Sequence, residues 1–189
     1  MSKLKLEHKA GLQISVHTIN KILANELQLF NVSYALLLSK EIQISVASVI
    51  EYIIAEILEL AGNATRDKRK IRISSEFIIK AIKLDPELNN VFNSNSDIQL
   101  NKPADDTIKL HTWTYIILKQ VHPDTQISTD ASRFLDKLIY DLIKKIAAEF
   151  PNDIKDLDLS KIIDKVLMGE LAKHANREAQ KSLNKYLVG

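Results

Sequence analysis

Ala55-Glu-Ile-Leu-Glu-Leu-Ala-Gly-Asn-Ala-Thr-Arg-Asp-Lys-Arg-Lys-Ile-Arg-Ile73 is the stretch on which the fold of this chain turns. It continues an amphipathic helical pattern that starts near Glu41. Val49, Ile50, Ile53, Ile54, Ile57, Leu60 and Ala61 share one side of that helix. Glu51, Glu56 and Glu59 fall within an arc of about 140° on the other. Gly62 reads as the C-cap. A basic loop follows, carrying Arg66, Lys68, Arg69, Lys70 and Arg72, and then a short strand-like stretch. A loop between helices presents cationic side chains and backbone N–H groups to phosphates. The plainer alternative is a solvated basic turn.

Upstream, Gly11 to Leu23 places Leu12, Val16, Ile19, Ile22 and Leu23 at helical spacing. Asn25 to Ser39 is unusually apolar and shows no clear period. Downstream, Ser74 or Ser75 can cap a short helix from Glu76 to Leu84, and Asp85-Pro86-Glu87 opens another. Residues 93–107 read as a linker by composition, able to span roughly 50 Å when extended. The pattern then recurs. Trp113 to Val121 is a short helix, Pro123-Asp-Thr a loop, and Ser128 or Thr129 the cap of a long helix from Asp130 to Glu149. Phe134, Leu135, Leu138, Ile139, Leu142, Ile143 and Ile146 line one face of it. Leu159 to Leu167 and Glu170 to Leu187 complete an all-α architecture of two short–long–short units and a C-terminal helix.

Composition narrows the function classes. The 189 residues are 46% hydrophobic, enough for a real core. There is no cysteine, so disulfide and thiolate chemistry are absent. No run of about 18 uncharged apolar residues is present, so no membrane span is expected. Met1 to His8 lacks a signal-peptide core. His8, His17, His111, His122 and His174 share no metal-ligand spacing. No glycine-rich phosphate loop and no nucleophile with an aligned base stands out, so neither a cofactor nor enzymatic activity is expected. The net charge of only +2 argues weakly for nucleic acid; the case rests on where the charges sit.

The quoted stretch closely resembles the centre of histone 2A. Leu118-Lys-Gln-Val-His-Pro-Asp-Thr-Gln-Ile-Ser128 and Gly169-Glu-Leu-Ala-Lys-His-Ala175 resemble histone 2B. The chain is thus similar to a fused core-histone doublet of the kind encoded by giant DNA viruses. The resemblance implies a histone 2A-like domain over 1–92, a linker over 93–107 and a histone 2B-like domain over 108–189, paired head to tail with their loops together. It implies a DNA-packaging protein that binds duplex DNA nonspecifically. With histone 3/4-like partners it would build a nucleosome-like particle, in the virion and in the infected cell's nucleus or viral factory.

The resemblance also assigns residues. Lys21, Arg66, Lys68, Arg69, Lys70, Arg72, Tyr115, Ser128 and Thr129 would contact DNA, with Arg72 entering the minor groove. For Tyr115 a place in the core is an equal alternative. Ser128 or Thr129 would add phosphate binding at a helix N-terminus to its capping role. Glu51, Glu56, Glu59, Asp85, Glu87, Glu170 and Glu178 match an acidic patch that docks arginine-bearing partners. The alternative is an ordinary solvated face. Lys185 matches a lysine that carries ubiquitin in histone 2B. Histone chaperones would be further partners, and the apolar segment 25–39 would be a contact for a second copy of the chain, the plainer alternative being that it folds back onto its own core.

Departures from the pattern limit these assignments. Long basic tails are missing, Thr18 stands where an arginine is expected, and Pro86 replaces an acidic residue. Asn152 to Asp158, normally a basic loop, is acidic. Two other readings stay open: a decoy for histone chaperones or acidic-patch readers, and a histone-fold transcription-factor pair.

Overall fold

The computed structural model describes residues 5–33, 35, 38–93 and 110–188. The elements, in order, are α1 (Leu6–Ala10), α2 (Val16–Leu29), α3 (Lys40–Asp67), β1 (Arg72–Ile73), α4 (Ser75–Leu84), α5 (Pro86–Asn93), α6 (His111–Val121), β2 (Gln126–Ile127), α7 (Thr129–Ala148), α8 (Leu159–Leu167) and α9 (Gly169–Val188). A 3-10 turn, Ile154–Asp156, precedes α8. The described chain is mostly helical, and its two strands are two residues each. The expected linker falls outside the described residues except for Asn93, which ends α5. The chain divides into two compact units, one of Met1–Tyr52 with Ile143–Gly189 and one of Ile53–Leu142. Each takes residues from both sequence halves.

In the first unit, Ser15 caps α2 by accepting a hydrogen bond from Thr18 N at 3.3 Å. The helix does not stop at Leu23 as its early periodicity suggests; it continues to Leu29. Asn31 supplies the stop, in the left-handed conformation at φ 58°. Its N–H donates to the Gln28 carbonyl, and Val32 N donates to the Leu27 carbonyl at 2.9 Å. That is the paired bonding of a Schellman-type end, with Val32 and Leu27 both buried.

The apolar segment 25–39 is therefore not a single loop. Residues 25–29 are helical, and Val32, Ala35 and Leu38 fold into the core. Leu29 is 74% exposed and Phe30 41%. Tyr34, Leu36 and Leu37 lie outside the described residues. Also in this unit, α9 packs against α1 and α8, burying Leu171, Ala172, Ala175 and Ala179. The Ser182 and Ser48 hydroxyls meet at 3.0 Å.

In the second unit, α3 runs past Gly62 to Asp67, so Gly62 is not its C-cap. Arg69, left-handed at φ 55°, turns the chain just beyond the helix, with Lys70 N donating to the Thr65 carbonyl at 3.0 Å. Gly62 has a different purpose: it makes room for the ring of His122. A Cβ at Gly62 would overlap that imidazole. His122 is buried, and its Nε2 donates to the Glu59 carbonyl at 2.9 Å. The apolar face expected for α7, from Phe134 to Ile146, is buried throughout.

Asp136 is an exception on that helix. It is buried, and its Oδ1 has no hydrogen-bond partner among the described residues. Burial pushes its carboxyl up to about 7, partly opposed by the backbone N–H of Leu110 at the start of α6.

Gly62 and Asp136 both bear on stability in ways that can be measured. Helix propensity alone says that Gly62→Ala should stabilise α3 by about 1 kcal/mol. The overlap with the His122 ring reverses the sign, and we expect a net loss of about 1–3 kcal/mol, read as a lower urea midpoint. For Asp136, the folded carboxyl titrates above its ordinary 3.8. Its stabilisation is complete below the unfolded value and is lost as pH rises to about 7, because the unfolded chain releases the proton first. Urea unfolding of the wild type should weaken across that window relative to Asp136→Asn. Parallel pH profiles would refute this account.

Candidate nucleic-acid interface

The basic loop and the start of α7 are built into one place by backbone pairing. β1 and β2 are parallel, with Arg72 opposite Gln126 and Ile73 opposite Ile127. Gln126 N donates to the Ile71 carbonyl at 2.8 Å, and Ser128 N donates to the Ile73 carbonyl at 2.9 Å. Ser128 also caps α7, its Oγ accepting from Ala131 N at 3.2 Å. Thr129, the first residue of the helix, is exposed. The positive end of the α7 dipole therefore opens beside the basic loop. Among residues 66–72, five are cationic and only Asp67 is acidic.

Arg66, Lys70 and Arg72 each have a local hold. Arg66 donates to Asn63 Oδ1 at 2.6 Å. Lys70 Nζ stands 5.4 Å from the centre of the Phe77 ring. Arg72 Nη2 donates to Gln126 Oε1 at 2.6 Å. Lys68 and Arg69 are exposed. Tyr115 is 53% exposed on α6, which removes the core alternative for it, and Lys119 Nζ lies 5.4 Å from its ring centre. Lys119 also donates to the Pro123 and Thr125 carbonyls at 2.6 and 2.9 Å, fastening the loop that leads into β2. Lys21 belongs to the other unit, exposed on α2.

Two residues of this interface escape a reading of the sequence. Gln126 meets Arg72 from 54 positions away, and nothing local marks it as a partner. Lys119 reads as one more helix cation, although its spacing from Pro123 and Thr125 could have suggested a loop clamp.

The residues assigned to an acidic patch separate into internal and outward roles. In the first unit, Glu51 is half-buried, and its Oε2 accepts from the N–H groups of Gln13 and Ile14 at 2.7 and 2.8 Å. It is committed to holding the turn before α2. Burial raises its carboxyl, opposed by those two N–H groups and by Lys185, while Glu178 adds to the rise. Lys185 also lies against Gly11. Glu170 is exposed and paired with Lys173 at 2.6 Å, and the Lys173 hydrogen bond holds its carboxyl below the usual range. Glu178 pairs with Lys181 at 3.2 Å.

In the second unit, Asp85 caps α5 by accepting from Leu88 N at 2.7 Å. With Asp67, Lys80 and the 71%-exposed Leu84 it lines an open cleft of about 240 Å³. Glu59 is exposed, while Glu56 and Glu87 are half-buried. The acidic loop of the first unit is also locally engaged. Asp153 accepts from Lys155 N, and Asp158 caps α8 by accepting from Lys161 N at 3.3 Å. Asp158 is held below the ordinary carboxylate range, first by the Lys161 side chain.

Among the described residues, no group of three or more histidine, aspartate or glutamate side chains is placed to hold a metal ion. No described helix is long and apolar enough to cross a membrane.

The chain is 42% identical over 83 residues to a histone 2A of Lodderomyces elongisporus. The matched region is 44% of this chain and 60% of that protein. The chain therefore carries a region homologous to histone 2A. No family model matches, and no solved structure matches.

The internal role of Glu51 is directly testable. Glu51→Ala strands the N–H groups of Gln13 and Ile14, and a stranded buried donor costs about 1–3 kcal/mol. Urea unfolding should show a loss of that order. Wild-type stability in the variant would place Glu51 back among the solvated carboxylates.

Proposed function

We propose that this chain is a histone doublet, a histone 2A-like half (1–92) and a histone 2B-like half (108–189) paired within one polypeptide. It packages duplex DNA without sequence readout. The observation that carries this reading is the parallel β1–β2 pair, which sets Arg72 and its basic neighbours beside Ser128, Thr129 and the N-terminus of α7. Cationic side chains, backbone N–H groups and a helix N-terminus together form a phosphate-binding arrangement. The homology to histone 2A supports the same reading from an independent direction. So does the composition of the two compact units, each drawing on both halves.

In this reading the doublet joins histone 3/4-like partners in a nucleosome-like particle that compacts a viral genome. It acts in the virion and in the infected cell's nucleus or viral factory. Fusion raises the effective concentration of one half for the other to about the millimolar range. Glu56, Glu59, Asp85 and Glu87 form the docking surface for arginine-bearing partners, including histone chaperones. Leu29 and Phe30 form the contact for a second copy of the chain.

DNA contact is uneven along the chain. The strong contact joins Arg72 to Ser128 and Thr129. The acidic loop around Asp153, Asp156 and Asp158 contributes little.

Reconstitution with histone 3 and 4 on DNA, followed by nuclease digestion, tests the packaging role. A protected fragment of defined length is expected. Weak duplex binding alongside tight chaperone binding would overturn it in favour of a decoy. The unevenness is read from affinity against salt. Arg72→Ala should weaken binding several-fold and flatten the salt slope by about one unit, whereas Lys155→Ala should leave both nearly unchanged. Equal losses from the two substitutions would refute the asymmetry.

A further inference from the structure

Lys119 lies in the last turn of α6 and is half-buried. A lysine ammonium has three donors and no acceptor. Two of the three are engaged within the chain, by the Pro123 carbonyl at 2.6 Å and the Thr125 carbonyl at 2.9 Å. The Tyr115 ring flanks the same ammonium, its centre 5.4 Å from Nζ. Hydrogen bonds from a charged donor are shorter and stronger than neutral ones. This cation therefore differs from Lys68 and Arg69, which are exposed in the basic loop.

Thr125 directly precedes Gln126, whose N–H donates to the Ile71 carbonyl at 2.8 Å in the parallel pair. The turn from His122 to Thr125 is closed by Thr125 N, which donates to the His122 carbonyl at 3.1 Å. His122 fixes the start of that turn on α3, through the Glu59 carbonyl. Lys119 fixes its end on α6. A two-residue ladder does not hold its own register, so the end of the turn decides where β2 meets β1. Arg72 on β1 and Ser128 after β2 take their places from that meeting.

We propose that Lys119 is a positioning residue of the interface. It acts on duplex binding through the β1–β2 register, which sets Arg72 beside the N-terminus of α7, and not through a phosphate of its own. This rests on the duplex-binding reading above and adds a residue to it. Two simpler accounts lead to different outcomes. If Lys119 only contacts a phosphate, its loss adds to that of Arg72 and lowers the salt slope by about one unit in either background. If it only stabilises the fold, a folded variant binds as the wild type does.

The test uses the full chain and a double-mutant cycle of Lys119→Met with Arg72→Ala, read as affinity for one duplex against salt by fluorescence anisotropy. Methionine keeps an unbranched stem and removes the charge and the donors. Circular dichroism verifies the fold of each variant. Lys119→Met should weaken binding by about 5-fold in the wild-type background and by about 2-fold or less beside Arg72→Ala, the non-additivity of residues that share one network. In the second background the salt slope should not change. Amide hydrogen exchange without DNA gives a further readout. Gln126 and Ser128 should exchange about 3-fold faster or more in the variant, because the ladder opens more often. Ala175 of α9, in the other unit, should exchange as in the wild type. Lys119→Gln, which keeps a polar end without the charge, carries the same comparisons if the methionine variant does not fold.

Equal losses in the two backgrounds, wild-type affinity in a folded variant, or unchanged exchange at Gln126 and Ser128 would overturn the proposal while leaving duplex binding intact. An absence of salt-dependent duplex binding by the wild type would overturn the duplex reading itself, and this proposal with it.

Discussion

The backbone pairing of Arg72–Ile73 with Gln126–Ile127 is the contact on which the candidate interface depends. It is only two residues long on each side, and a ladder of that size has little stability alone. Its neighbours hold it. On one side the loop is tied down by the Arg69 turn at the end of α3; on the other, Lys119 grips the Pro123 and Thr125 carbonyls. His122, seated against Gly62 and bonded to the Glu59 carbonyl, anchors the same loop to α3. These contacts together settle where Arg72 stands and where the N-terminus of α7 opens. A shift of one residue in the register would move Gln126 from Arg72 and reverse the side each neighbour faces.

Charge in this chain is meaningful locally and misleading in sum. The net charge of +2 conceals five cations within seven residues of one loop. Several of the carboxylates that balance them are engaged locally, by backbone N–H groups or by lysines. Glu51, Asp85 and Asp158 each accept backbone N–H groups at the start of a helix or in the turn before one. Glu170 and Glu178 are paired with lysines three residues along α9. The outward acidic character is thus smaller than a count of glutamates suggests. Exposed pairs of that kind add little to stability, but they do cancel much of the local field.

The segment between α2 and α3 shows how apolar composition can be misread. A run containing Leu27, Leu29, Phe30 and Val32 resembles an exposed sticky loop when no period is visible. In the fold, the helix takes the first part and the left-handed Asn31 turns the chain. Val32, Ala35 and Leu38 then enter the core. Only Leu29 and Phe30 are left as a small exposed pair among the described residues.

What the sequence by itself determined is the set of helices apart from the short α1, and a few of their caps. The long amphipathic stretches of α3 and α7, the cap at Ser128, the opening of α5 at Asp85 and the limits of α8 were all legible. Periodicity and capping involve residues within four positions of one another. The basic loop was legible for the same reason, as a cluster of cations between two helical patterns. Helix ends were less so, because Asn31 and Arg69 stop α2 and α3 through left-handed turns that carry no glycine. Tertiary structure alone decided which distant groups meet. Gly62 looked like a helix end until His122 filled the space above it. Glu51 looked like a surface carboxylate until two N–H groups 38 and 37 residues away claimed its oxygen. Gln126 had no visible role until the parallel register set it opposite Arg72. Each of these depends on contacts between residues far apart in the chain, and the local pattern of a sequence carries no record of distance in space.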